Sequence, residues 1–141
     1  MPNTGAEQNP VHVVAGVIYS PDRKQVLIAR RPEHLHQGGK WEFPGGKVDV
    51  GESPRQALCR ELREELALKT IYCEPLMAVN HDYIDKSVLL DVWQVLEFSG
   101  IPVGNEGQTV VWVDLDQLST YEFPEANRQL VALVSGKLLK S

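Results

Sequence analysis

Residues 46–68 read GKVDVGESPRQALCRELREELAL, and this stretch decides the architecture around it. Ser53 suits a helix N-cap, Pro54 suits the first helical position, and Gln56 occupies the partner position of a capping box. Three leucines then recur at helical spacing and form one apolar stripe: Leu58, Leu62 and Leu66. The stretch therefore predicts a helix that begins at residue 54 and packs its leucines on a core.

Three glutamates share an arc beside the leucine stripe at about 100° per residue: Glu61, Glu64 and Glu65. They lie in the C-terminal half of the helix, where the macrodipole disfavours negative charge, and like charges at i,i+4 repel. Arg60 and Arg63 offset part of this cost, so one interpretation is a solvated face with salt bridges. The other is a cation site, because carboxylates on a rigid helix suit Mg²⁺ or Mn²⁺ that bridges to phosphates.

Length and composition describe an ordinary globular protein. The chain has 141 residues, of which 43% are apolar and 23% charged, and this fits one domain. A formal charge of −5 argues against binding to nucleic-acid polymers or membrane surfaces. No secretory signal or membrane-spanning run is recognisable. We therefore expect a cytoplasmic protein, with residues 1–10 as a flexible tail and residues 11–141 as a single domain.

Apolar, β-branched segments flank the helix and predict strands. They cover residues 11–19, 25–30, 41–43, 70–77, 87–98 and 108–113. Pro44, Gly45 and Gly46 are expected to end the third strand in a turn. Residues 114–118 suit a short helical turn, and residues 125–134 suit a C-terminal helix. Strands combined with two helices predict a single α/β domain.

The 46–68 stretch resembles the Nudix box, which reads Gly-x5-Glu-x7-Arg-Glu-aliphatic-x-Glu-Glu-x-Gly-aliphatic. The matching positions are Gly46, Glu52, Arg60, Glu61, Leu62, Glu64, Glu65 and Leu68. Ala67 stands where the family has glycine, at a place that serves the helix end more than the chemistry. The resemblance implies a Nudix-like α/β/α sandwich with a mixed central sheet, and hydrolysis of a diphosphate linkage.

Other segments resemble the MutT branch of that family, which acts on oxidised purine nucleoside triphosphates. They read IARRP at 28–32, WEFPGGK at 41–47, NEGQ at 105–108 and FPEAN at 123–127. The resemblance implies hydrolysis of 8-oxo-dGTP to 8-oxo-dGMP and pyrophosphate, with Mg²⁺ as cofactor and Mn²⁺ as a substitute. Such an activity removes mutagenic nucleotides from the pool. The partner implied is a small nucleotide, and a monomer is favoured, with a dimer left open.

The resemblance also implies roles for acidic and glycine residues. The implied metal ligands are the Gly45 or Gly46 carbonyl and the carboxylates of Glu61, Glu64, Glu65 and Glu106. The implied catalytic residues are Glu61, Glu64 and Glu106, and the choice of general base among them stays open. Glu52 is expected to hold Arg60 in a structural pair, because a buried arginine needs a carboxylate partner.

Substrate contacts are expected from Arg31, Phe43, Lys47, Tyr83 and Asn127. The two cations would balance phosphate charge, and the two aromatic rings would flank the base unless they fill the core. Asn127 is the most informative of the set: its amide offers both a donor and an acceptor, and the resemblance implies that it reads the oxidised guanine. Its alternative role is helix N-capping.

Two functional alternatives stay open at this point. One is a Nudix pyrophosphohydrolase of another nucleotide, such as a methylated pyrimidine triphosphate or a nucleotide sugar. The other is a non-catalytic nucleotide-binding module with the same fold. His34 and His36 are more typical of an exposed loop than of a zinc site, because no third histidine or thiol accompanies them. Cys59 and Cys73 are expected to be reduced and buried.

Overall fold

The structure is a computed structural model that describes residues 10–34 and 38–136. Its strands are β1 (Val11–Tyr19), β2 (Gln25–Arg30), β3 (Trp41–Glu42), β4 (Gly45–Lys47), β5 (Lys69–Asp82), β6 (Ser87–Ser99) and β7 (Thr109–Asp114). Its α-helices are α1 (Pro54–Leu66) and α2 (Arg128–Val134). Two 3₁₀ turns, Leu115–Thr120 and Glu125–Asn127, precede α2.

The strands form one mixed sheet in which β1 occupies the centre. On one edge β1 runs parallel to β6, and β5 lies antiparallel beyond β6. On the other edge β1 pairs briefly with β2, from Ile18 opposite Leu27 to Tyr19 opposite Val26. Beyond that pairing β4 continues along β1, while β3 continues along β2. The sheet therefore splits where the chain of β3 and β4 enters it.

Two apolar cores cover the two faces of this sheet. Under α1, the predicted leucine stripe is fully buried against Val14 and Ile18. On the opposite face, Leu130 and Val134 of α2 pack with Val17 and other residues of the second core. Helices on both faces of a mixed sheet confirm the predicted α/β/α sandwich.

Helix α1 begins where the sequence indicates, at Pro54, and ends at Leu66. Ser53 Oγ accepts a hydrogen bond from the Gln56 amide, and the Gln56 side chain accepts one from the Ser53 amide, which completes the capping box. At the other end Ala67 has φ 60° and ψ 29°, and its amide donates to the carbonyl of Arg63. The left-handed conformation explains why a glycine suits this position.

Three sequence predictions need correction. The turn predicted at Pro44, Gly45 and Gly46 is in part strand β4, because glycines lack the Cβ that would overlap neighbouring atoms there. The helix predicted for residues 125–134 divides into a 3₁₀ turn and the shorter α2, because Asn127 has φ −98° and ψ 2°. Strands β5 and β6 also extend beyond the predicted segments.

The expected tail, residues 1–10, lies outside the described residues except for Pro10. Among residues 10–34 and 38–136, no helix has the length and apolar character needed to cross a bilayer.

Candidate metal and nucleotide site

A cleft opens where the sheet splits. Its main lobe has a volume of about 510 Å³. A second lobe of about 200 Å³ shares four lining residues with the first: Arg31, Glu42, Leu90 and Asn127. Gly46, Glu65 and Glu106 line the main lobe alone, whereas Tyr83 and Ala126 line the second lobe. The cleft thus has an acidic end and a more apolar end, joined by the four shared residues.

Arg60 organises the carboxylates of the box. Its Nε and Nη2 donate to the two carboxylate oxygens of Glu52 at 2.7 and 3.0 Å, and Nη2 also donates to the carbonyl of Lys47 at 3.0 Å. The hydrogen bonds from Arg60 lower the pKa of Glu52. Nη1 donates to Glu61 at 3.1 Å and to Glu64 at 3.3 Å. Arg60 therefore joins helix α1 to the loop before it and to β4.

Glu61 and Glu65 form an acidic pair beside β4. The Glu61 side chain is 16% exposed and lies against Gly46, where a Cβ would overlap its carboxylate. Burial raises the pKa of Glu65, and the hydrogen bond that it shares with Glu61 raises that pKa further. The negative charges of Glu106 and Glu42 act in the same direction. This site concentrates negative charge around a partly buried carboxyl group.

The structure separates the remaining box glutamate from this pair. Neither Glu61 nor Glu64 lines the cleft, and both bond to Arg60. Glu61 is 16% exposed and shares a hydrogen bond with Glu65, whereas Glu64 is 56% exposed. Glu106, from the loop before β7, does line the cleft and lies close enough to influence Glu65. Within the described ranges, no three carboxylate, imidazole or thiol side chains converge tightly enough to hold an ion by themselves. The predicted acidic ligands are therefore neighbours rather than a preassembled cage.

The donors present nevertheless suit a divalent cation. Two carboxyl groups that share a hydrogen bond, beside a third acidic side chain, are all hard oxygen donors. Gly45 and Gly46 line the same lobe and bring backbone close to it. A cation bound here would replace the shared proton and offset both the burial and the neighbouring negative charges that raise the pKa of Glu65.

Asn127 lies at the junction of the two lobes. It occupies the N-cap position of α2, yet its side chain makes no capping hydrogen bond. Its backbone amide donates to the carbonyl of Pro124 at 2.9 Å, which holds the residue at the end of the 3₁₀ turn. The amide side chain thus lines the cleft without serving the helix, and it can present a donor and an acceptor to a ligand.

The other predicted substrate residues occupy different surroundings. Arg31 lines both lobes and pairs with Glu42 at 3.3 Å. Tyr83 lines the second lobe, where its ring packs edge to face on the His81 ring, with ring centroids 4.5 Å apart. Lys47 is exposed at the end of β4 and does not line either lobe.

Phe43 is part of the core as well as of the cleft wall. Its side chain is 4% exposed and stacks on Phe123, with ring centroids 5.2 Å apart. One face of the ring is therefore covered by protein. This packing makes Phe43 a support for the cleft rather than a free stacking platform.

Glu42 and Gln108 are two polar residues of the cleft that sequence reasoning did not propose. Glu42, next to Phe43 in the WEFPGG segment, lines both lobes, and burial raises its pKa although Arg31 opposes the shift. Gln108 lines the main lobe and bonds to the backbone of both Glu65 and Glu106. Both residues lie within the segments that resemble MutT, so their position in those segments was the available signal.

The remaining sequence predictions concern two histidines and two cysteines. His34 is exposed and lines the main lobe, whereas His36 lies outside the described residues. Cys59 and Cys73 are free thiols; Cys73 is buried as expected, but Cys59 is only half-buried. Burial raises the pKa of Cys73.

Known proteins are similar to this chain in both sequence and fold. A NUDIX domain match spans residues 14–133. The 8-oxo-dGTP diphosphatase of Escherichia coli (strain K12) is 34% identical over 122 residues, which cover 86% of this chain and 94% of that protein. The CTP pyrophosphohydrolase of the same strain is 36% identical over 121 residues, which cover 86% and 88%.

Comparison with solved structures also finds proteins of this kind. One comes from a study of MutT from Aliivibrio salmonicida and Vibrio cholerae and is 40% identical, with a TM-score of 0.81 over 92% of this chain and 99% of that one. The resemblance that the box indicated is confirmed over most of the sequence and over the whole sandwich. The chain belongs to the Nudix family of hydrolases.

Proposed function

We propose that this chain is a Mg²⁺-dependent nucleoside triphosphate pyrophosphohydrolase that prefers 8-oxo-dGTP and releases 8-oxo-dGMP and pyrophosphate. In a cell this activity would remove an oxidised nucleotide before it enters DNA. The observation that carries the proposal is the Asn127 side chain, which lines both lobes and does not cap α2. The similarity to 8-oxo-dGTP diphosphatases supports it.

The two ends of the cleft suggest how the substrate lies. The acidic end, with Glu65 and Glu106, would face the phosphates across divalent cations, and the end beyond Asn127 would take the base. Arg31 lies between these ends and would contact phosphate or sugar oxygens. Tyr83 would lie beside the base in the second lobe. Lys47 would reach the phosphates only by extending its side chain over the rim.

We assign different roles to the acidic residues. Glu61 and Glu65 would hold the cation, together with Glu106 and a carbonyl of Gly45 or Gly46. When bound, the cation supplies charge neutralisation for the phosphates and acidifies a water molecule. The described side chains do not by themselves form a closed cage for the cation.

Glu106 is also our choice of general base: one of its carboxylate oxygens would hold the cation, and the other would take the proton. Glu61 and Glu64 each accept a hydrogen bond from Arg60, whereas Glu106 lies in the cleft without such a partner among the described residues. A carboxylate that faces the cleft can take the proton of an attacking water. Glu64 would instead support the site by its contact with Arg60.

The test compares substrates on the purified protein with Mg²⁺. We expect a clearly higher kcat/KM for 8-oxo-dGTP than for dGTP, CTP or 5-methyl-dCTP, and a loss of that preference in Asn127→Ala. The matched control is Asn80→Ala, because Asn80 is exposed on β5 and lines neither lobe. Preference for CTP would reject the purine assignment and favour the activity of the CTP pyrophosphohydrolase relative.

Two separate measurements identify the phosphorus that is attacked and the residue that acts as general base. Hydrolysis in ¹⁸O-water should place the label in pyrophosphate if the β-phosphorus is attacked, as we propose, and in the monophosphate if the α-phosphorus is attacked. Glu106→Gln should lower kcat by about 10²-fold or more, because general-base catalysis contributes about 10²–10⁴-fold. Glu64→Gln should have a smaller effect, and the reverse order would reassign the base.

A further inference from the structure

The loop between β6 and β7 is attached to the C-terminal end of α1. The last carbonyls of a helix have no partners within it, and this loop supplies them. The Val103 amide donates to Leu66 O at 3.1 Å, and the Asn105 amide donates to Glu65 O at 3.0 Å. Asn105 Nδ2 donates to Glu64 O at 3.2 Å. The loop that carries Glu106 is thus built on the helix that carries Glu61 and Glu65.

Gln108 makes a connection that the other loop residues do not. Its Nε2 donates to Glu65 O at 3.2 Å, and its Oε1 accepts from the Glu106 amide at 2.9 Å. One side chain therefore links the backbones of two acidic residues. The chemistry of the partners fixes the orientation of the amide, because a carbonyl needs a donor and an N–H group needs an acceptor.

The local backbone is shaped for this bridge. Gly107 has φ +80°, and its amide donates to Gly104 O at 3.0 Å, which closes a tight turn. A Cβ at Gly104 would overlap the carbonyl oxygen of Gln108. The turn therefore returns the chain so that the Gln108 side chain meets the amide of Glu106, two residues earlier.

We propose that Gln108 is a positioning residue that holds Glu106 at a set distance from Glu65, so that both carboxylates can engage one divalent cation. This inference rests on the metal site proposed above. Simple capping of α1 does not explain Gln108, because the Glu65 carbonyl already accepts from the Asn105 amide. The additional feature is the bond to the Glu106 amide, which no cap requires.

The experiment measures Mn²⁺ binding to the nucleotide-free protein by electron paramagnetic resonance. Gln108→Ala should weaken Mn²⁺ binding by about tenfold, since residues that orient metal ligands are worth about 10–100-fold in affinity. Asn105→Ala is the matched control, because it removes a side-chain bond to the same helix end but leaves the bridge in place. The Mn²⁺ affinity of Asn105→Ala should differ from that of the wild type by less than about twofold.

A double-mutant cycle shows whether Gln108 acts through Glu106. In the Glu106→Gln background, Gln108→Ala should cause no further loss of Mn²⁺ affinity. An equal loss in both backgrounds, or wild-type affinity in Gln108→Ala, would overturn the inference. Gln108→Met keeps the length of the side chain without its hydrogen bonds and replaces Gln108→Ala if that variant does not fold.

Two further measurements separate positioning from folding. Hydrogen exchange of the Glu106 amide should accelerate in Gln108→Ala and stay unchanged in Asn105→Ala. The Mg²⁺ concentration for half-maximal activity should rise more than kcat at saturating Mg²⁺ falls. If the wild-type protein binds no Mn²⁺, the metal site itself is wrong, and this result differs from a wild type that binds and a Gln108 variant that binds equally well.

Discussion

Gly46 lies directly against the Glu61 carboxylate, so that a Cβ at residue 46 would overlap the carboxylate carbon and both oxygens. Gly46 pairs with Val14 across β1 and β4, and Glu61 projects from α1 toward that pair. The neighbouring Gly45 has a different obstacle, because its Cβ would overlap the backbone oxygen of Val14. One glycine thus makes room for a carboxylate, and the other makes room for the sheet.

Gly46→Ala should disturb the metal site while the fold persists. The methyl group displaces the end of a side chain, which costs less than displacing backbone. We expect Mn²⁺ affinity to fall by about tenfold or more, while the free energy of unfolding falls by less than about 1 kcal/mol. Mn²⁺ titration and urea unfolding measure the two effects.

The matched variant is Gly45→Ala, whose methyl group meets the Val14 backbone. Its free energy of unfolding should fall by about 2 kcal/mol or more, because two strands must move apart. If Gly46→Ala binds Mn²⁺ as tightly as the wild type, Glu61 does not contribute to the site.

Metal binding should release a proton from Glu65. Because the pKa of Glu65 is raised in the metal-free protein, the group stays protonated below that raised pKa. A cation must displace this proton, so Mn²⁺ affinity should increase as the pH rises toward the pKa. Calorimetry in buffers of different ionisation enthalpy counts the protons. Glu65→Gln should release fewer, and an equal release would assign the proton elsewhere.

The same shift predicts how stability depends on pH without metal. The folded pKa of Glu65 lies above its ordinary value of 4.5. Its contribution to the free energy of unfolding is therefore fully present below pH 4.5 and is lost as the pH rises through the folded pKa. Urea unfolding in EDTA across this window measures the slope, and Glu65→Gln should flatten it.

Arg31 and Glu42 should be energetically coupled. Arg31→Ala removes a cation from the cleft and leaves the Glu42 carboxylate without its ion pair. We expect nucleotide affinity to fall by about tenfold or more, as for other hydrogen bonds to charged groups. Adding Glu42→Gln should recover part of this loss, because the remaining negative charge disappears. Strictly additive effects would show that the pair acts as two independent residues.

Ala67→Gly should stabilise the protein. Ala67 has φ 60°, a conformation that costs an L-residue about 1 kcal/mol and glycine almost nothing. We expect the free energy of unfolding to rise by up to about 1 kcal/mol, with kcat unchanged. The same substitution at Ala57, which is buried within α1, should lower it by about 1 kcal/mol or more. Urea unfolding compares the two, and a destabilised Ala67→Gly would contradict the argument.

Local sequence signals predicted the parts of the fold that depend on neighbours along the chain. The capping box, the leucine stripe of α1 and strand β1 agree with expectation because each follows from adjacent residues and a regular period. Strand β4 was missed because its glycines indicate a turn when considered locally. Only the presence of Val14 and Glu61 around them shows that these glycines make room inside a sheet.

For the candidate site too, local sequence signals predicted some features, and only long-range contacts revealed the others. Spacing alone placed Glu61, Glu64 and Glu65 on one helical arc, but it could not show that only Glu65 of the three lines the cleft while Glu64 is largely exposed. Glu42 and Gln108 carried no motif of their own. Their roles depend on contacts with residues far along the chain, such as the bond from Gln108 to Glu65 across 43 positions.

The sequence was enough to predict a helix that begins at residue 54 and its acidic arc, because helical periodicity and capping act over a few residues. Its spaced motif was enough to indicate the family. Only the tertiary structure shows which carboxylates share the cleft and which side chains line it. The splitting of the sheet brings Glu65, Glu106 and Asn127 to one cleft from three separate segments. Such contacts depend on long-range strand pairing, and no local pattern encodes them.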